Sequence, residues 1–279
     1  MTDDPGETEG VTSHAVAWWH TSLRAIAVLN VALWSLSAVA VSREHALIHV
    51  ETDAACYMQL LLSAGYVAGC AYRSFLPVID IPRLVLIDSR LSSVLVGRSV
   101  ATVAELCFAA QWALMLHRTT LLAGSPFVQA VSFAVVPLIV LAEGCSWYAV
   151  LTTEQRAHAV ENSLWGLSAA LAVAGMLVVG PHQLSALYPP MIAGGAAYVA
   201  YIFVYDVPMY WSRWLLDQAN GRRYLSIADG LVDVCRRWTV SYRWEDWRNE
   251  VPWMSLYFTF GVWSSIWLVY ASRALGHSN

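Results

Sequence analysis

Ala104-Glu105-Leu106-Cys107 and Ala142-Glu143-Gly144-Cys145 are near-repeats set in two apolar runs, and His158-Ala159-Val160-Glu161-Asn162 opens a third. An ionised carboxylate in hydrocarbon is costly unless paired, hydrated or protonated, so such residues usually face a bundle interior and mark a working site. Three glutamates on three successive apolar segments therefore predict membrane helices with buried acids at the centre of whatever the protein does.

The composition agrees. The chain is 58% hydrophobic and 13% charged, with a mean hydropathy of +0.50, whereas soluble domains carry about 25% charged residues. An all-α integral membrane protein follows, with the lipid bilayer as its first partner. Fourteen Trp and thirteen Tyr suit the two membrane interfaces. All sixteen basic residues are arginine. The absence of lysine excludes a retinal Schiff base, a lysine nucleophile and a P-loop lysine. The five cysteines include no CxxC pair and read as small buried hydrophobes rather than a disulfide or zinc framework. A net charge of −4 implies no nucleic-acid partner.

Seven runs approach or exceed the roughly 20 residues that span the hydrocarbon core: Leu23–Val41, Ala54–Tyr72, Ser92–Leu116, Phe127–Thr152, His158–Gly180, Tyr188–Trp214 and Val251–Ser272. Residues 1–13 are acidic and read as a disordered tail, leaving 14–279 as one seven-helix domain. Gly65 and Gly69 form a small-xxx-small pair that favours close helix contact. Pro77 and Pro82 make 73–90 an interfacial loop, and its Asp80, Arg83, Asp88 and Arg90 alternate in sign as salt-bridging groups do. Pro137 predicts a kink in the fourth helix. Within 217–249, Tyr224, Ile227, Leu231, Val234, Cys235 and Trp238 recur at helical spacing, as in an amphipathic helix lying in the interface.

Arginines fall mainly in the connections 2–3, 4–5 and 6–7, with Arg43, Arg118 and Arg273 opposite. The positive-inside rule then predicts a multi-pass protein of the cell inner (plasma) membrane with a cytoplasmic N-terminus and cytoplasmic 217–249.

Helical geometry places the polar residues. Arg98 and Glu105 share a face, but seven residues separate them by about 10 Å along the axis, so each is expected to pair across helices, Arg98 with Glu161 or Asp206. Glu105 should lie opposite Glu143 near mid-membrane. The candidate catalytic residues are Glu105, Glu143, Glu161 and Asp206. The candidate substrate contacts are Arg98, Asn162, Trp147, Trp165, Tyr201 and Tyr205. Three functions compete. Apposed carboxylates can act as acid and base on a lipophilic, isoprenoid- or lipid-like substrate, isomerising or cyclising it. A metal variant uses Glu105, Glu143, His158 and Glu161 to hold iron or manganese for oxidation. The same acids can instead relay protons or cations in a transporter, or be structural in a receptor or scaffold. In architecture alone, a compact seven-span body with two or three buried acids resembles the small integral-membrane terpene cyclases; no motif of that family is matched residue by residue.

Overall fold

In hydrocarbon every backbone N–H and C=O must be satisfied within its own segment, so each apolar run has to close as a helix. The computed structural model describes residues 5–48, 54–180 and 188–276 and is 84% helical. Seven of its helical spans are long and apolar enough to cross a membrane, which makes this a multi-pass membrane protein. The first five are α1 (Pro5–Ile48), α2 (Ala54–Phe75), α3 (Val94–Ala123), α4 (Pro126–Thr152) and α5 (Gln155–Val179). The sixth joins α6 (Tyr188–Tyr201) to α7 (Val207–Ala219) through a π-helical turn, Ile202–Asp206. After α8 (Ile227–Arg236) and α9 (Trp244–Trp247), the seventh joins α10 (Val251–Leu256) to α11 (Val262–Gly276) through a second π-helical turn, Tyr257–Gly261.

Local chemistry sets these ends and breaks. Gly124 ends α3 in the left-handed region (φ 60°), Ser125 caps α4 by accepting from Val128 N–H, and Pro126 takes the first helical position. Pro208 has no N–H to offer Val204, and the Val207 N–H reaches back to the Ile202 carbonyl, one residue further than an α-helix allows. At the second π turn, Asn30 donates to the Phe258 carbonyl at 2.8 Å and accepts from Trp263 Nε1 at 3.0 Å, so the first helix supplies a bond to the broken one. α4 runs through Pro137 as one helix.

Sequence neighbours pack side by side, and the seventh span closes onto α2 and α3, so α3 is surrounded by α2, α4, α5 and α11. The small residues explain one of these contacts: a Cβ on Gly69 would meet the Ala104 Cβ at 2.5 Å, and one on Gly65 the Cys107 Sγ at 2.7 Å. The two helices touch through the residues flanking Glu105. Across the bundle a second polar seam holds α2, α3 and α11 together. Gln111 donates to the carbonyls of Gln59 and Ser265 (both 3.1 Å), and Ser265 Oγ donates to Gln111 Oε1 at 2.5 Å. All three residues are fully buried. Interhelical bonds of this kind commonly add about 0.6–2 kcal/mol each in membranes.

The arginine-rich end adds a small sheet to the interfacial loop and amphipathic helix expected there. Val78–Ile79 (β1) pairs antiparallel with Leu84–Val85 (β2), and β2 pairs parallel with Thr239–Val240 (β3), joining the 2–3 and 6–7 connections. The amphipathic helix is consequently shorter than its apolar pattern predicts, because Trp238 leads into β3 and donates to Asp88 at 2.9 Å. Buried Arg83, 1% exposed, ties the parts together: it donates to Asp233 on α8 (2.9 Å), to the Asp80 carbonyl (2.7 Å) and to the Val150 carbonyl of α4 (2.7 Å). The approach of α8 to α4 is so close that a Cβ on Gly230 would lie 2.1 Å from the Leu151 carbonyl oxygen.

Arg83→Ala is expected to lower stability by on the order of 3 kcal/mol, because two buried carbonyls lose their donor. Thermal melting in detergent tests this against Arg236→Ala on the exposed face of α8; equal melting temperatures would show that the clamp stabilises nothing. The Arg237 hydrogen bond, with Arg83 beside it, holds the Asp233 carboxyl below the usual carboxylate range. A depressed acid stabilises the fold above its unfolded value of about 3.9 and loses that contribution as pH falls through its folded value, so this element is insensitive to pH near neutrality.

Several expectations need correction. α1 spans Pro5–Ile48, longer at both ends than the run Leu23–Val41 that marks it in the sequence; residues 1–4 lie outside the described residues. α5 begins at Gln155, one turn before His158. Cys56 and Cys70 are buried, but Cys235 is exposed on α8.

Candidate functional site

Arg98 stands in the second turn of α3 and Glu105 two turns further on. At 1.5 Å per residue Glu105 lies about 16 Å from the start of its helix, and Glu143 about 14 Å from the end of α4, so both reach similar depth from the arginine-rich end. The guanidinium gathers the acids. Arg98 Nη2 lies 2.9 Å from Glu105 Oε2 and 2.6 Å from Glu143 Oε2, while Nη1 lies 3.9 Å from Glu161 Oε1 and 4.0 Å from Asp80 Oδ2. Arg98, Glu143 and Glu161 are all buried.

The direct Arg98–Glu105 pair overturns the expectation that seven residues are too many. Axial rise measures the backbone, whereas the Glu105 side chain leans toward the helix N-terminus and the long Arg98 stem reaches along the helix to meet it at 2.9 Å. Glu161 does approach Arg98, and more loosely than the two glutamates that share Nη2. Asp206 makes no ion pair with Arg98 among the described residues; it sits in the π turn of the sixth span.

Around the guanidinium the polar atoms form a relay. Thr102 donates to Glu143 Oε2 at 2.6 Å and accepts from Trp147 Nε1 at 3.0 Å. His158 Nδ1 is 2.6 Å from Glu161 Oε2, and the imidazole packs on the Tyr210 ring with centroids 5.1 Å apart. Asn162 donates to the His158 carbonyl at 2.9 Å, within its own helix. Glu143 Oε1, Arg98 Nε, Asp80 Oδ1 and Ser146 Oγ are buried without a hydrogen-bond partner among the described residues. Buried polar atoms in native proteins are nearly always satisfied, so these four set the cluster apart from the apolar core around it.

One guanidinium faces four carboxylates. Excess negative charge in a low-dielectric interior is costly, so the set as a whole needs protons or further positive charge beside the one guanidinium. A metal ion does not fit. Arg98 occupies the point where Glu105 and Glu143 converge, Glu161 Oε2 is taken by His158, and among the described residues no three His, Cys, Asp or Glu side chains are grouped to hold an ion. The iron or manganese reading of Glu105, Glu143, His158 and Glu161 is therefore not supported.

The aromatic wall is split. Trp147 reaches the cluster through Thr102, and Trp165 packs partly buried on the core between α3, α4 and α5. Tyr201 stacks on Tyr205 with centroids 5.5 Å apart, but Tyr205 is 48% exposed and faces outward. Three partners escaped the sequence reading. Thr102 was legible, being four residues after Arg98 and three before Glu105 on the same face. Asp80 and Tyr210 were not, since only the folding of a loop and of the sixth span brings them in.

No known protein family, curated protein or solved structure matches this chain.

Proposed function

We propose that this protein is a membrane-embedded acid–base enzyme acting on a lipophilic, isoprenoid- or lipid-like substrate. The observation that carries the reading is the set of carboxylates from α3, α4 and α5 on one buried guanidinium, with Glu143 Oε1 left unpaired. In such a set one carboxyl donates a proton to an alkene carbon and a second carboxylate removes a different proton, which isomerises or cyclises the substrate with no change in oxidation state. Arg98 holds the remaining charge in a fixed position, as a preorganised electrostatic group does. His158, 2.6 Å from Glu161, links the cluster to the arginine-rich end.

A transporter that couples to protons or cations is the second reading, and the π turns in the sixth and seventh spans favour it, because broken helices line many transport sites. One experiment separates the two. Purified protein in lipid extract made up in deuterium oxide should place deuterium on carbon in a recovered lipid, as mass spectrometry reads. Proteoliposomes that move protons while no lipid gains deuterium would overturn the enzyme in favour of the transporter.

The arginine-rich end is proposed to face the cytoplasm of an inner (plasma) membrane, with the N-terminus on that side. The start of α1 stands there, since Trp19 packs on Trp247 and His20 contacts the Phe75 carbonyl. Exposed Cys235 is a native reporter. It is expected to resist a membrane-impermeant thiol reagent in intact cells and to react after permeabilisation, and labelling in intact cells reverses the orientation.

A further inference from the structure

We infer that the arginine-rich end carries a binding site for a head group bearing both a phosphate and a primary ammonium. A cavity of about 260 Å³ opens there, lined by the turn 79–82, Gln155, Arg213, Arg222, Asp246, Asn249 and Glu250. Its walls come from five parts of the chain: the first turn of α5, the middle of α7, the connection after that helix, the segment leading into α10, and the loop whose Asp80 approaches Arg98. Through that loop it adjoins the acid cluster, and it lies where the spans that begin at Gln155 and Val251 start. Its size is below the roughly 300–1,000 Å³ of sites that enclose a drug-sized ligand, so it takes a head group and not a whole lipid.

The lining sorts into two halves of opposite character. Arg222 pairs with Asp217 at 3.1 Å, and Arg213 lies over the Tyr210 ring at 5.5 Å with no ion pair among the described residues. Two guanidiniums, one of them without a carboxylate, suit a phosphate. Asp246 accepts from Ser241 Oγ at 2.5 Å and Glu250 accepts from Trp253 Nε1, which leaves lone pairs on both acids. Gln155 is 6% exposed, and its Oε1 is buried without a donor. An acceptor orphaned in the cavity wall calls for an N–H donor, and two acids beside it call for a positive charge. A plain phosphate would meet both acids unpaired, and a quaternary ammonium has no N–H to give Gln155. An ethanolamine phosphate satisfies both halves.

The inference stands beside the acid–base reading rather than on it, because it is measured by binding and not by turnover. Delipidated protein in mixed micelles is offered phosphatidylethanolamine, phosphatidylcholine and phosphatidylglycerol, and retained lipid is counted by native mass spectrometry. Phosphatidylethanolamine is expected to be held about tenfold more tightly than the other two, roughly the worth of one charged hydrogen bond. Gln155→Leu and Arg213→Gln should each reduce that preference to less than about threefold, with melting temperature unchanged. Free O-phosphoethanolamine offered without lipid distinguishes the source: binding with the same dependence on Gln155 assigns the cavity to a soluble ligand of the same chemistry. Equal retention of the three lipids, or variants that keep the wild-type preference, overturns the inference. Should either variant lose its melting transition, Gln155→Glu decides, since added negative charge should sharpen the preference for ethanolamine over choline and an unchanged ratio overturns it.

Discussion

Arg98→Leu is expected to cost at least about 3–5 kcal/mol of stability, the largest effect of any single substitution in the bundle, because it strands Glu105 and Glu143, which pair with no other cation among the described residues. Glu105 and Glu143 both rest on Nη2, so each loses its neutralising partner at one stroke. The loss should be partly restored by adding Glu143→Gln, which removes one of the stranded charges. Melting of the four proteins in detergent forms a double-mutant cycle, in which residues that act through a shared contact give a coupling of about 0.5–3 kcal/mol. Additive effects would mean that the guanidinium does not hold Glu143, and the cluster would lose its claim to be a unit.

Glu143→Gln and Glu105→Gln should behave in the opposite way, lowering activity by roughly 10²–10⁴ while leaving the fold near wild type, since an amide keeps shape and hydrogen bonds but cannot exchange a proton. Thr102 can still donate to the side-chain amide oxygen that Glu143→Gln introduces, and Arg98 keeps Glu161 and Asp80 nearby. Removing one of several like charges from a buried set relieves repulsion, so a slightly higher melting temperature is the expected sign. The readout is deuterium on carbon in the lipid assay. Full activity in both variants, or unfolding of both, makes the carboxylates structural, and the enzyme reading then falls together with the transporter reading. Asp206→Asn is the internal comparison: lying off the guanidinium in the π turn, it should reduce activity less than either glutamate.

The sequence by itself determined the solvent, the element type and the positions of the buried acids. Hydropathy is a sum over local residues, and a helix is the only way an open chain segment satisfies its backbone in lipid, so seven spans and the turn at Gly124-Ser125-Pro126 were legible without any packing. Gly65 and Gly69 likewise announced a close helix contact, because the absence of a side chain is a local fact. The cluster's face on α3 followed from helical period alone.

Tertiary structure decided the partners. Whether Arg98 meets Glu105 depends on side-chain reach, which exceeds what axial rise suggests, and whether it meets Glu143 depends on which ridge of α4 lies against α3. That same choice put a guanidinium where a metal reading needed an ion. The small sheet at the arginine-rich end was illegible for a related reason: two-residue strands carry no periodicity, and β2 and β3 lie far apart in the chain, so only the fold brings Thr239 to Leu84. Arg83, Asp80 and Gln155 look like ordinary interfacial polar residues in the sequence. Burial gives them their roles, and burial is a property of the assembled bundle, because it depends on what the rest of the chain places over them.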